Sequence, residues 1–143
     1  MEKYMFICIG TNKLISDSLG PKVGDILTDN FEKNNKVEVL GTMKTPIHYQ
    51  NAPIFLDYIK KLDNKIVLID SALSNIGNIG DIYIQTGGLE IGKALGKTFY
   101  FPAHLSIKMI VGRQHKCNYT INYINKLANE LATQITDIVY KVI

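Results

Sequence analysis

Two carboxylates carry the chemistry that this sequence offers. Asp17 follows the apolar run at residues 4–9, separated from it by Gly10 and a polar loop. Asp70 directly ends a second apolar run, Ile66-Val67-Leu68-Ile69. Paired carboxylates suit general acid–base work, because their mutual repulsion separates the two titrations and leaves one acid and one base near working pH. The same pair could instead hold a metal ion, with His48 or His104 as a third ligand. Asp70 in particular calls for a partner, since a carboxylate set against four apolar strand residues is costly to bury alone. Asp17 stands just ahead of a helical pattern, where the dipole and free amides favour its ionised form. There Asp17 or Ser18 could also simply cap the helix.

The elements that must position these residues read as alternating strands and helices. Residues 4–9 and 65–72 are short, apolar and β-branched, as buried strands are. Between them, residues 18–31 carry Leu19, Val23, Ile26, Leu27 and Phe31 at helical spacing, with Pro21 in the first turn. Residues 37–42 read as a strand, and residues 43–50 as a loop containing Pro46 and His48. A helix then runs from an Asn51 cap to about Leu62, with Ile54, Phe55, Tyr58, Ile59 and Leu62 as its apolar positions. This β-α-β-α-β order predicts parallel strands joined by right-handed crossovers. Further on, residues 74–81 are rich in Gly and Asn, residues 82–85 form a short strand, and residues 87–97 form a glycine-rich loop. A last strand spans 105–111. Asn118 or Thr120 opens a long helix with Ile121, Ile124, Leu127, Leu131, Ile135, Ile138 and Val142 on one face. The expected architecture is a three-layer α/β/α sandwich around a mostly parallel sheet.

In such sheets ligands bind beyond the carboxyl ends of the strands, where the strand order reverses. With the first strand flanked by the second and third, that crevice lies near residues 10–17, 43–50 and 70–75. Asp17, His48 and Asp70 would all face it.

Composition narrows the rest. A chain of 143 residues should form one domain with a single core. A net charge of +3, with Arg113 the sole arginine, leaves no electrostatic footprint for nucleic acid. Cys8 lies within a core strand and Cys117 before the last helix, so neither a disulfide nor a metal site is assigned to them. With no signal segment and no apolar run of about 18 residues, an intracellular location is expected and no membrane is involved. One motif is a decoy. The stretch from Gly87 to Lys93 fits the phosphate-loop spacing G-x-x-x-x-G-K, but Ala94 stands where a Ser or Thr should bind magnesium. Pro102 soon interrupts the helix that should follow.

The motifs together resemble a known family. Ile7-Cys8-Ile9-Gly10-Thr11 and Ser16-Asp17-Ser18-Leu19-Gly20-Pro21 look like the start of the YyaC-type sporulation proteins of Firmicutes, described as spore proteases. Gly41-Thr42, Pro46-Ile47-His48 and Ile69-Asp70-Ser71-Ala72-Leu73 continue the resemblance in order, over most of residues 4–112. These proteins are similar to the germination protease of spores and, more distantly, to hydrogenase maturation proteases. The germination protease uses two aspartates. One lies in an Asp-Ala/Ser-Leu-Gly-Pro segment, which residues 17–21 match. The other lies in an Ile-Asp-Ala-Leu segment, which residues 69–73 match with Ser71 inserted. The resemblance thus implies the α/β sandwich of these proteases and selects the same two aspartates as catalytic. Departures are the strand beginning at Tyr4, where the germination protease carries a pro-segment, and Ile91, where relatives tend to carry proline. Hydrogenase maturation proteases recognise nickel with an acidic residue, an aspartate and a histidine; Asp17 and Asp70 match the first two in position, and the histidine has no clear counterpart in His104.

The function expected is therefore a peptidase of sporulation or germination, confined to the sporulating cell or spore interior. Asp17 and Asp70 would be catalytic, with Thr11, His48 and Ser71 binding substrate and no cofactor required. The resemblance implies a protein or peptide substrate, of the small, acid-soluble kind that coats spore DNA, and leaves a homo-oligomer open. Its alternatives are a nickel-recognising maturation factor and a non-catalytic peptide-binding protein.

Overall fold

A computed structural model describes residues 2–92, 96–114 and 120–143. In chain order the elements are β1 (Lys3–Cys8), a 3-10 turn (Ile15–Asp17), α1 (Leu19–Asn30), β2 (Val37–Leu40), α2 (Ala52–Ile59) and β3 (Asn64–Leu73). They are followed by β4 (Ile82–Thr86), β5 (Leu89–Ile91), β6 (Phe99–Phe101), β7 (Leu105–Gly112) and α3 (Ile121–Val142). Five strands form one sheet in the order β2-β1-β3-β7-β4. The first four are parallel, and β4 runs antiparallel to β7. The mostly parallel α/β sheet agrees with the sequence reading, including β1 flanked by β2 and β3.

Strand alternation splits the core in two. Phe6, Cys8, Val67, Ile69, Ile107 and Met109 point to one face, which α1 and α3 cover. Met5, Ile7, Ile9, Ile66 and Leu68 point to the other, where they meet Ile47, α2 and the residues of β5 and β6. The second outer layer therefore differs from expectation. Residues 87–97 read as a loop, yet β5 and β6 pair as an antiparallel hairpin that buries Leu89, Ile91 and Phe101. Lys93 and Ala94 of the phosphate-loop spacing lie outside the described residues, as do His115, Cys117 and Asn118. Cys8 is a free, fully buried thiol, pushed up by that burial.

Two helix faces also need correction. In α2 the buried and half-buried residues are Ala52, Phe55, Leu56 and Ile59, whereas Ile54 and Tyr58 are exposed. In α3 the buried stripe runs through Ile124, Leu127, Ala128, Leu131, Ala132, Ile135 and Val139, leaving Ile121, Ile138 and Val142 exposed. The apolar positions in both helices outnumber those a single sheet face can cover, so pattern alone found the centre of each stripe, Phe55 and Ile59 in α2 and Ile124, Leu127, Leu131 and Ile135 in α3, but not its borders. Thr120 opens α3 as a true cap, its hydroxyl accepting from the Tyr123 N–H at 3.1 Å. Among the described residues no helix is long and apolar enough to cross a membrane.

What anchors the outgoing end of the sheet is contact between backbones. A Cβ on Gly20 would collide with the Ile9 carbonyl, one on Gly24 with the Gly41 carbonyl, and one on Gly41 with the Cys8 carbonyl. Gly41 also holds φ at 89°, which L side chains rarely adopt. Helix α1 therefore seats directly on the outgoing ends of β1 and β2. Gly24→Ala tests this seat: the methyl has rigid backbone to displace, at about 3 kcal/mol. The melting temperature should fall by roughly 6–12 °C, read by calorimetry. A loss below ~2 °C would mean that the helix can shift.

Candidate active site

The loop that delivers Asp17 is tied at both ends. The Gly10 N–H donates to the Ile47 carbonyl at 2.9 Å, and the Thr11 N–H donates to the Asp17 carbonyl at 2.8 Å. Between them, the Asp17 N–H closes the 3-10 turn onto Leu14, and the Ser18 hydroxyl donates to the Ile15 carbonyl at 2.7 Å. Ser18 stands at the N-cap position of α1, but neither its side chain nor that of Asp17 makes a capping hydrogen bond, contrary to the reading that one of them could cap the helix. No described residue donates a hydrogen bond to the Asp17 carboxylate.

Asp70 comes from the neighbouring strand. Register pairs Cys8 with Ile69, and the Ile9 N–H donates to the Ile69 carbonyl at 2.7 Å, so β1 and β3 end side by side. The Ser71 N–H holds the Asp70 carboxylate at 2.8 Å. Alternation turns the Ser71 side chain to the face of Val67 and Ile69, so what Ser71 brings to Asp70 is its backbone. His48 follows Ile47, which bridges Ile9 in parallel, and this places His48 at the same outgoing edge. Its Nδ1 accepts from the Gln50 N–H at 3.2 Å, which assigns the ring proton to Nε2. Thr11 lies beside it, with its hydroxyl accepting from the Lys13 N–H at 3.2 Å.

His104 is elsewhere. Its Nδ1 accepts from the Ile66 N–H at 3.0 Å, and its own N–H donates to the Ile66 carbonyl. Ile66 lies four residues upstream of Asp70 on β3, about 13 Å away along an extended strand. His104 cannot be the third ligand of a metal held by Asp70, which leaves His48 as the described candidate. Among the described residues no three His, Cys, Asp or Glu side chains converge as a metal site.

Electrostatics separates the two aspartates. Burial pushes Asp17 up to about 6, reversing the expectation that the helix N-terminus would favour its ion. Burial pushes Asp70 further, to about 8, and the Asp17 charge adds to the rise. The Ser71 N–H and the charge of Lys108 oppose it. Lys108 is the residue that sequence reasoning missed. It pairs in register with Asp70 across β3 and β7, on the same face of the sheet. Among the described residues it forms no ion pair. The signal was present: Lys108 is the one charge in an otherwise apolar strand.

Two surface depressions lie far from this edge, lined by Tyr4, Lys36 and Ile143 and by Lys33 and Tyr140.

With that geometry in place, comparison with known proteins is informative. The family described as "Protein of unknown function (DUF1256)" matches residues 1–141. The chain belongs to the DUF1256 family. It is 29% identical over 134 residues to YyaC of Bacillus subtilis strain 168, described as an uncharacterized protein, which bears out the YyaC-type resemblance. That alignment covers 88% of this DUF1256 chain and 64% of YyaC, so the chain spans a little under two thirds of that relative's length. The fold is similar to the NiFe hydrogenase maturation protease HycI of Thermococcus kodakarensis KOD1, with a TM-score of 0.64 and 20% identity over 96% of this chain and 92% of that one. HybD, a NiFe hydrogenase maturation protease of Thermococcus kodakarensis, matches with a TM-score of 0.49 and 16% identity over 94% of this chain and 99% of that one.

Raised carboxyls make stability depend on pH in a definite direction. In the folded chain Asp70 keeps its proton up to about 8, whereas unfolded it ionises near 3.8. The folded state therefore binds more protons across that window, and stability falls as pH rises through it. Asp70→Asn removes the effect. Its melting temperature should gain on wild type steadily from about pH 4 to about pH 8 and level off above, in parallel calorimetric scans. A constant difference would show that Asp70 titrates normally.

Lys108→Met should move the Asp70 titration to higher pH, followed by carboxyl carbon NMR. An unchanged titration would show that the ammonium does not act on Asp70.

Proposed function

We propose that this chain is a peptidase whose Asp17 and Asp70 share the acid–base work of peptide hydrolysis. One observation carries the reading: β1 and β3 end side by side and bring two carboxyls to one edge, where burial raises both and the Asp17 charge raises Asp70 further, so that Asp70 holds its proton after Asp17 has ionised. Asp17 ionises first, and its charge then helps hold the proton on Asp70. Asp17 is thus the base that takes a proton from the attacking water. Asp70 is the acid that protonates the leaving nitrogen as the carbon–nitrogen bond breaks. The Lys108 ammonium offsets the negative charge that the attack concentrates beside it.

Around the pair, Thr11 and His48 meet the substrate, His48 offering the Nε2 proton to a peptide carbonyl. Ser71 contributes through the N–H that orients Asp70. The likeness of fold to a maturation protease and the relation to YyaC support a peptide substrate without choosing one. The resemblance to the germination protease makes small acid-soluble spore proteins the first to try. This sets the work in the interior of the sporulating cell or spore.

The test is cleavage of a small acid-soluble spore protein, followed by mass spectrometry from pH 5 to 9. Wild type should cleave with a bell-shaped kcat/KM centred near pH 7, its limbs reporting the two carboxyls. Asp17→Asn and Asp70→Asn, each checked for folding by circular dichroism, should each lose about 10²–10⁴ in kcat/KM. Intact substrate after prolonged incubation with wild type across that range would overturn the proposal.

A further inference from the structure

Register sets Asp70 beside Lys108 and Lys108 beside Tyr83, in one row across β3, β7 and β4 on one face of the sheet. The cover over that face is interrupted at this row. On β7 the side chains that point this way are Ser106, Lys108 and Ile110, by alternation. Ser106 is fully buried, and its hydroxyl donates to the Gly87 carbonyl at 2.6 Å, so the turn between β4 and β5 lies over it. Ile110 is buried as well, under the loop at 74–80. A Cβ on Gly77 of that loop would fall 3.3 Å from Ile110 Cδ1 and 2.7 Å from the Tyr83 hydroxyl. Arg113 fixes the loop, donating to the carbonyls of Ser74 at 3.1 Å and Gly77 at 2.6 Å. Lys108, between the two covers, is only half-buried. Ser106 and Ile110 lie about 13 Å apart along β7, which leaves room between their covers for one extended chain. Exposure rises along the row, from half-buried Asp70 to Tyr83 at 51%, so the trough opens at β4.

We infer that this trough receives the substrate peptide beyond the scissile bond, with Tyr83 as a specificity-determining residue, an assignment that rests on the peptidase reading. The occupant follows from where the trough begins. Its closed end is Asp70, so a chain lying in it has its reacting bond at one end and its continuation over Lys108 and Tyr83. Neighbouring strands stand about 4.8 Å apart, which puts Tyr83 roughly 10 Å from Asp70. An extended peptide rises about 3.3 Å per residue, so the side chain that meets Tyr83 belongs to about the third residue from the scissile bond. There the Tyr83 ring offers a flat apolar surface whose hydroxyl already lies against the Gly77 loop. Aromatic and large aliphatic side chains pack on such a ring, whereas alanine is too short to cover it. Ile84, the next residue of β4, points to the opposite face and takes no part.

The experiment gives the full chain a library of random peptides capped at both ends, and reads the products by mass spectrometry. Wild type should enrich Phe, Tyr, Leu and Ile over Ala about three residues to one side of the cleaved bond. Tyr83→Ala should erase that enrichment and raise KM for an enriched peptide about tenfold, with kcat within about twofold. Ile84→Ala, on the same strand and the other face, should keep the wild-type preference. Binding is read separately on folded Asp17→Asn, by amide NMR during titration with the same library. The amides of Lys108 and Tyr83 should shift. A library left uncut by wild type while those amides shift would overturn the peptidase reading and leave the trough standing. Cleavage without the enrichment, a Tyr83→Ala that cleaves like wild type, or a titration that spares Lys108 and Tyr83 would each overturn the trough.

Discussion

Helix α1 lies so close to the outgoing ends of β1 and β2 that backbone touches backbone. Gly20 faces the Ile9 carbonyl, and Gly24 faces the carbonyl of Gly41, which itself rests on Cys8. The arrangement at the edge that carries Asp17 and Asp70 follows from that approach. With the helix seated on the strand, the ten residues from Gly10 to Leu19 have little room, and they fold into a loop pinned by Thr11 to Asp17 and by Gly10 to Ile47. That loop sets the Asp17 carboxylate beside the end of β3. A helix held a few ångströms further away, as side chains at positions 20 and 24 would require, would carry Asp17 off from Asp70. The Ser-Leu-Gly-Pro segment is therefore packing first, and chemistry through packing.

Desolvation then decides how the two carboxyls behave. A helix N-terminus favours an anion by roughly 0.3–1 kcal/mol at an exposed position. Raising Asp17 from 3.8 to about 6 implies an opposing effect on the order of 3 kcal/mol. Burial wins by a wide margin. Position matters as well, because the 3-10 turn puts Ser18 at the cap of α1 and leaves Asp17 a residue outside it. Asp70 is pushed higher, and only the Ser71 N–H and the Lys108 charge restrain it. The chain holds two carboxyls where they destabilise the fold at neutral pH, a cost borne at functional sites more often than elsewhere.

Much of this was legible in the residues. The two apolar runs became β1 and β3, Pro21 and the spacing after it located α1, and the order of elements implied that β1 would lie between β2 and β3. Both aspartates stand out from the residue types and their place after apolar runs. What escaped has physical causes. β5 and β6 have three residues each, too few for a period-two pattern, so β5 reads as part of the glycine-rich loop at 87–97 and β6 has no signal of its own. In α2 and α3 the surplus of apolar positions hid the borders of the stripe that faces the sheet. His104 looked available as a ligand because its place beside Ile66 depends on the return of β6 into β7, which no local pattern encodes. Lys108 was passed over as part of a strand, although a charge amid Ile107, Met109 and Ile110 needed explaining as Asp70 did.

Burial first, and the Asp17 charge after it, favour a protonated Asp70 at this edge, and the pairing with Lys108 works against them. Two carboxyls alone would repel, and the second would resist ionisation far above neutrality. A lysine in direct ion contact would do the reverse, drawing the proton off Asp70 and leaving two bases and no acid. Lys108 stands between these cases. It is one strand away, in register and on the same face, yet forms no ion pair among the described residues. At that separation it moderates the rise without cancelling it. The rise that burial sets on Asp70 is moderated and not cancelled, because the cation is a neighbour and not a partner.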